Sequence, residues 1–200
     1  MKQVIYRKQG GPEVLELRDV PIPEVKKGEV LVRMLATSVN GGDLGLRRGN
    51  PKKNHKEMKR PKRIGIDVVG VVEKLGENVT DFKVGDLVWG NSGPDNGTTA
   101  EYSAISAKKI SLMPEGMEPT TAAAFPTVGI TAITALFDVG KLKAGERILV
   151  RGIGGVGLTA MQIAKAHGTH VTVLCSRKIV DRVKEFGAEE AYDYRKTPIE

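Results

Sequence analysis

The residues best suited to chemistry lie between positions 147 and 177, in the segment RILVRGIGGVGLTAMQIAKAHGTHVTVLCSR. Gly152, Gly154 and Gly157 satisfy a G-x-G-x-x-G spacing, with Gly155 and Val156 between them. Such a turn lets an anionic pyrophosphate reach backbone N–H groups at a helix N-terminus, where unpaired donors and the helix dipole favour negative charge. Gly152 suits the tight turn, Gly154 the approach of the phosphate, and Gly157 close packing of helix on strand. The elements that must position the turn are legible around it: an apolar run at 148–150, an alanine-rich segment ending at Gly168, and a β-branched run at 171–174. Glycine turns also join strands and helices that bind nothing, but the strand before and the helix after favour a dinucleotide site.

The end of the second strand bears on which dinucleotide. It reads Cys175-Ser176-Arg177-Lys178, with no acid and two cations. An acid there would bind ribose hydroxyls, whereas the Ser176 hydroxyl and the Arg177 guanidinium suit a 2′-phosphate, so the expected cofactor is NADPH. The alternative is a basic helix start without a ligand.

The chain of 200 residues is 40% hydrophobic, enough for a buried core in one domain or two small ones. It has no run of eighteen apolar residues and no N-terminal signal pattern, so no membrane partner is expected and the cytoplasm is the expected compartment. One cysteine, Cys175, excludes an internal disulfide. The net charge is +7, and the sequence pI is near 9.5. The excess is local, because residues 47–63 hold nine Lys/Arg (Arg47, Arg48, Lys52, Lys53, Lys56, Lys59, Arg60, Lys62, Arg63) against Glu57. That segment reads as a solvated loop, or alternatively as a surface for an anionic partner. With no aromatic residue among its cations, nucleic acid is disfavoured. His55, His167 and His170 show no metal-ligand spacing.

Turn punctuation and alternation predict strands near 4–6, 15–20, 29–39, 67–75, 87–89, 100–105 and 109–113, with Asp43 capping a helical turn over 44–48. Helices follow at 119–124 and 126–137, then the glycine unit, a helix over 178–186 and a strand at 191–194. Residues 1–118 therefore read as a small antiparallel β domain and 119–200 as a parallel α/β part.

Several separated motifs agree in order: Asn40-x-x-Asp43 with Arg47-x-Gly49, then GIDVVGVVEKLGENVTDFKVGDLVWG, AEYSAI, AAAFPTVGITA, GIGGVG, CSRK and DYRK. Together they resemble the medium-chain dehydrogenase/reductase superfamily, in its zinc-free quinone oxidoreductase-like branch. The resemblance implies a GroES-like catalytic domain followed by a Rossmann domain, with the active site between them. It places Asn40 near nicotinamide and substrate, has Asp43 hold that loop, brings Thr131 to the nicotinamide from a helix, and adds Tyr194 to the 2′-phosphate contact. Asn-Gly-Gly-Asp is also an ordinary turn composition, and a buried helical threonine also bonds its own backbone.

Zinc-dependent members would have Cys at Asn40 and His-Glu at Ile66-Asp67, so no metal is expected here. Without one, hydrogen-bond donors must polarise the carbonyl, which suits hydride addition to a quinone or an α,β-unsaturated carbonyl. A tyrosine common two residues after the aspartate is Gly45 here, which assigns the proton to water. Family members continue through three more Rossmann strands, so this chain reads as C-terminally truncated, with its first Rossmann strand left as an open edge. Two alternatives follow: an inactive nucleotide-binding fragment, or pairing of the edge with another chain as a homo-oligomer.

Overall fold

The computed structural model describes residues 1–50, 57–94 and 96–196. The chain divides into two units, Met1–Thr127 and Val128–Glu200.

The first unit is antiparallel β structure. β1 (Lys2–Tyr6) lies between β2 (Leu15–Asp19) and, after β3 (Glu29–Ala36) and α1 (Gly41–Arg48), the short β4 (Lys62–Arg63). A five-stranded sheet is completed by β5 (Asp67–Leu75), β6 (Leu87–Asn91), β7 (Tyr102–Ser106) and β8 (Ile110–Leu112), in the order β7-β3-β5-β6-β8. Val30, Val32, Val68, Val72 and Val88 have no solvent exposure in its core. Burying each contributes about 1.5–3 kcal/mol over leaving it exposed, so these β-branched runs fix the sheet. Gly70, which interrupts the sequence run, is where β3 comes closest: a Cβ there would lie 2.3 Å from the Arg33 carbonyl oxygen, beside a shift of register. The short α2 (Pro119–Ala122) belongs to this unit, because Ala122 and Ala123 pack with Val69.

Two expectations change here. The N-cap of α1 is Asn40, with extended φ −98° and ψ 160°, and Asp43 is the third helical residue. The helix begins earlier than expected because Asn-Gly-Gly supplies a cap and a first turn. Arg47 is not in a solvated loop; it lies on α1, 3% exposed, and donates to the Gly10 carbonyl at 2.6 Å. Lys52, Lys53, His55 and Lys56 of the basic segment lie outside the described residues.

The second unit holds most of α3 (Pro126–Ile133), a π-helical turn (Thr134–Val139), β9 (Arg147–Arg151), α4 (Gly155–Ala166), β10 (His170–Cys175), α5 (Val180–Glu185) and β11 (Glu190–Asp193). Its strands are parallel in the order β11-β10-β9, with Val150 opposite Val173 and Val173 opposite Ala191. Met161 and Ala164 of α4 and Val183 of α5 bury against Val171, Val173 and Cys175. Among the described residues β9 pairs with β10 alone, so it is an edge, and Leu149 is 49% exposed. One stretch, Pro119–Val139, is long and apolar enough to cross a membrane by length and composition. It is broken at 123–125, and Ala122, Ala123 and Leu136 pack in the cores of the units that hold them.

Glu189 clamps the second unit. Its carboxylate receives Lys165 Nζ from α4 and the Val171 N–H at 2.8 Å, and its own N–H donates to the Val171 carbonyl at 3.1 Å. The Lys165 hydrogen bond, with the Val171 N–H, outweighs burial and holds the carboxyl down to about 2. A carboxyl depressed on folding stabilises the folded state above its unfolded value near 4.3 and loses that contribution as pH falls toward 2. Urea unfolding of the wild type and of Glu189→Gln between pH 7 and pH 2.5 should show the two stabilities converging as pH falls below about 4.

Candidate functional site

β5 opens on a carboxylate. Asp67 has no solvent exposure, and a charge there must be matched by hydrogen bonds. Its Oδ1 accepts from the Thr127 N–H at 2.8 Å and the Thr127 hydroxyl at 2.6 Å. Its Oδ2 accepts from the Ser38 hydroxyl and from the Asn40 amide at 2.8 Å. All four donors are neutral. Thr127 Oγ1 in turn accepts from Asn91 Nδ2 at 2.9 Å.

This arrangement orients Asn40. The amide nitrogen also donates to Ser38 Oγ at 3.0 Å, so both amide hydrogens point toward Ser38 and Asp67. The Asn40 backbone N–H donates to Asp43 Oδ2 at 2.8 Å, and Asp43 Oδ1 accepts from the Gly65 N–H at 3.2 Å. Asp43, 3% exposed, thereby ties the start of α1 to the segment leading into β5. Burial, and then the Asp43 carboxylate, push the Tyr6 phenol above its usual value and keep it protonated. Gly41 and Gly42 are exposed, and a Cβ on either would meet nothing within 4 Å. Their N–H groups belong to the first turn of α1, which lacks intrahelical acceptors.

In the second unit the glycine turn joins β9 to α4, and three glycines meet three different constraints. Gly152 has φ +91°, which favours glycine, and its N–H donates to the Leu174 carbonyl at 2.8 Å. Gly154, the N-cap of α4, opens on free space, so an anion can reach the backbone. At Gly157 a Cβ would stand 2.0 Å from the Gly152 carbonyl oxygen. Gly155 faces Val128 Cγ1, 3.0 Å from where its Cβ would be, and Val156 is 37% exposed.

β10 runs out into Ser176 and Arg177. The Arg177 guanidinium lies 3.4 Å from Asp181 in a pair whose side chains are 65% and 81% exposed, a contact too solvated to hold it in place. The Tyr194 N–H donates to the Cys175 carbonyl at 3.1 Å, which brings Tyr194 to the end of β10 beside Ser176. Cys175 itself is buried, and burial followed by the Asp193 carboxylate raises its thiol. Thr131 is exposed on α3.

Thus Asn40 and Asp43 come together in the first unit, and the glycine turn, Ser176, Arg177 and Tyr194 in the second. Sequence reasoning did not single out Asp67, Ser38 or Thr127. The available signal was a lone carboxylate opening the run DVVGVV, since a charge among core valines needs dedicated partners.

Residues 26–115 match the alcohol dehydrogenase GroES-like domain. The quinone oxidoreductase of Sus scrofa is 38% identical over 198 residues, covering 98% of this chain and 59% of its own length. Nearly the whole chain is thus similar to oxidoreductases of the medium-chain dehydrogenase/reductase superfamily. Another member, the chloroplastic NADPH-dependent alkenal/one oxidoreductase of Arabidopsis thaliana, is 36% identical over all of this chain and 54% of its own. The quinone oxidoreductase of Coxiella burnetii superposes with a TM-score of 0.86 at 34% identity, covering 99% of this chain and 63% of that one. The chain therefore spans somewhat over half the length of these relatives. Its first unit is the GroES-like part and its second a partial Rossmann sheet.

Replacing the Asp67 carboxylate by an amide turns one acceptor oxygen into a donor facing Asn40 and Ser38. Asp67→Asn should therefore cost about 2–4 kcal/mol, read from urea unfolding followed through Trp89 on the neighbouring strand β6. The glycines should separate when urea unfolding is followed by far-ultraviolet circular dichroism, which reports both units: Gly154→Ala leaves the midpoint of the second unit nearly unchanged, while Gly157→Ala lowers its stability by about 1–3 kcal/mol.

Proposed function

We propose that this chain carries the cofactor-holding and substrate-orienting residues of an NADPH-dependent, zinc-independent oxidoreductase acting on a quinone or an α,β-unsaturated carbonyl. The observation that supports it most directly is the open glycine turn at Gly154 beside a β10 end that runs into Ser176 and Arg177. The first-turn N–H groups of α4 and residues Gly152, Gly154, Gly155, Val156 and Gly157 hold the pyrophosphate. Ser176, Arg177 and Tyr194 hold the 2′-phosphate. Bound NADPH supplies a hydride to an electron-poor carbon.

In the first unit, Asp67 fixes the Asn40 amide and Asp43 fixes its backbone, so the first turn of α1 is held in one orientation. With both amide hydrogens of Asn40 committed, the exposed N–H groups of Gly41 and Gly42 are the donors that meet charge developing on the substrate oxygen. Thr131 serves the nicotinamide side. Gly45 offers no acidic side chain, and the proton comes from water. The Asp67 oxygens are filled by neutral donors, which fits a site working without a metal. A single free cysteine suits a reducing compartment, and the cytoplasm is the one proposed.

A second reading is nucleotide binding without turnover, for which the open turn at Gly154 suffices. A fluorescence titration with NADPH separates the two when combined with a quinone turnover assay. NADPH should bind at least tenfold more tightly than NADH. Arg177→Ala should remove that preference, and Gly154→Ala should weaken both cofactors in a chain that stays folded. Equal affinities for the two cofactors would refute the 2′-phosphate assignment, and tight NADPH binding without quinone reduction would favour the second reading.

A further inference from the structure

We propose that the sheet formed by β2, β1 and β4 carries an anion-binding groove for a small molecule bearing a di- or triphosphate chain. The groove, about 540 Å³, has four arginines in its lining: Arg7, Arg18, Arg60 and Arg63, with Asp19 at the rim and Ile5 beneath. Strand register explains the convergence. Arg18 on β2 stands opposite Gln3, and Arg63 on β4 stands opposite Ile5. Residues directly opposite share a face, as do positions two apart along a strand. The outer strands therefore project Arg18 and Arg63 to the same side, flanking β1.

The carboxylates nearby are engaged. Glu16 pairs with Arg18 at 2.6 Å, and Asp19 faces Lys2 at 3.4 Å. Arg7, Arg60 and Arg63 have no carboxylate partner among the described residues and are exposed. Three guanidinium groups gathered with only the exposed Asp19 carboxylate at the rim repel one another, and their planar forks match the oxygens of phosphate groups. A chain of two or three phosphates offers each fork its own oxygens, which one phosphate does not. The lining contains no aromatic side chain for a base to stack on, which argues against a nucleic acid strand. These residues are distinct from the glycine turn and from Ser176, Arg177 and Tyr194, so the groove does not depend on the cofactor assignment.

Isothermal titration calorimetry with inorganic tripolyphosphate tests the groove on the whole chain. Binding should be at least tenfold tighter than that of orthophosphate and should weaken as salt rises. The double variant Arg7→Gln with Arg63→Gln should lose at least tenfold in affinity. Lys108→Gln, which removes an exposed cation on the same unit, and Arg177→Ala should each change it less than twofold. Circular dichroism should show all variants folded, since each substituted residue is exposed. Absence of tripolyphosphate binding, a loss with Lys108→Gln equal to that of the double variant, or a loss confined to Arg177→Ala would each overturn the proposal.

Discussion

The first unit depends on one buried charge. A carboxylate taken fully out of water costs several kcal/mol unless hydrogen bonds replace its hydration, and Asp67 obtains four from neutral donors. Because each donor must aim at an oxygen, the carboxylate dictates the positions of Ser38, Asn40 and Thr127. Asn40 passes that constraint to α1, and Asp43 returns it through Gly65 to the segment preceding β5. The polar loop after β3 is thereby as determined as the valine core beside it.

In the second unit the determining constraint is backbone proximity. Gly157 brings the first turn of α4 against the carbonyl of Gly152, where no side chain fits. The helix must then start where the strand ends, with its free N–H groups facing the space that Gly154 leaves open. Glu189 fixes the far side by joining α4, β10 and the start of β11. The binding turn and the packing of the unit are consequences of the same few residues.

Element types were legible because their signals are local. Runs such as 67–75 and 171–174 read as strands from β-branched composition, and Gly168 marked the end of a helix. The edge position of β9 was an implication of the family resemblance and had no local signal. The glycine turn was legible locally: its spacing is its geometry. The carboxylate network was not, since Asp67 meets Asn40 across 27 residues and Thr127 across 60, separations that carry no periodic trace. Arg47 was misread with the loop because charge counting does not distinguish a solvated cation from one buried on a helix face. Asn40 displaced Asp43 as the cap because Asn-Gly-Gly reads equally as a turn and as a helix start.

The state of the lone thiol bears on survival as much as on structure. Quinones and enones are Michael acceptors that alkylate thiolates, so a protein proposed to process them is exposed to inactivation by its own substrates. Here the only sulfhydryl, Cys175, is 2% exposed, and both burial and the carboxylate of Asp193 favour its protonated form. It therefore offers little access and little thiolate to electrophiles that modify an accessible, ionised cysteine.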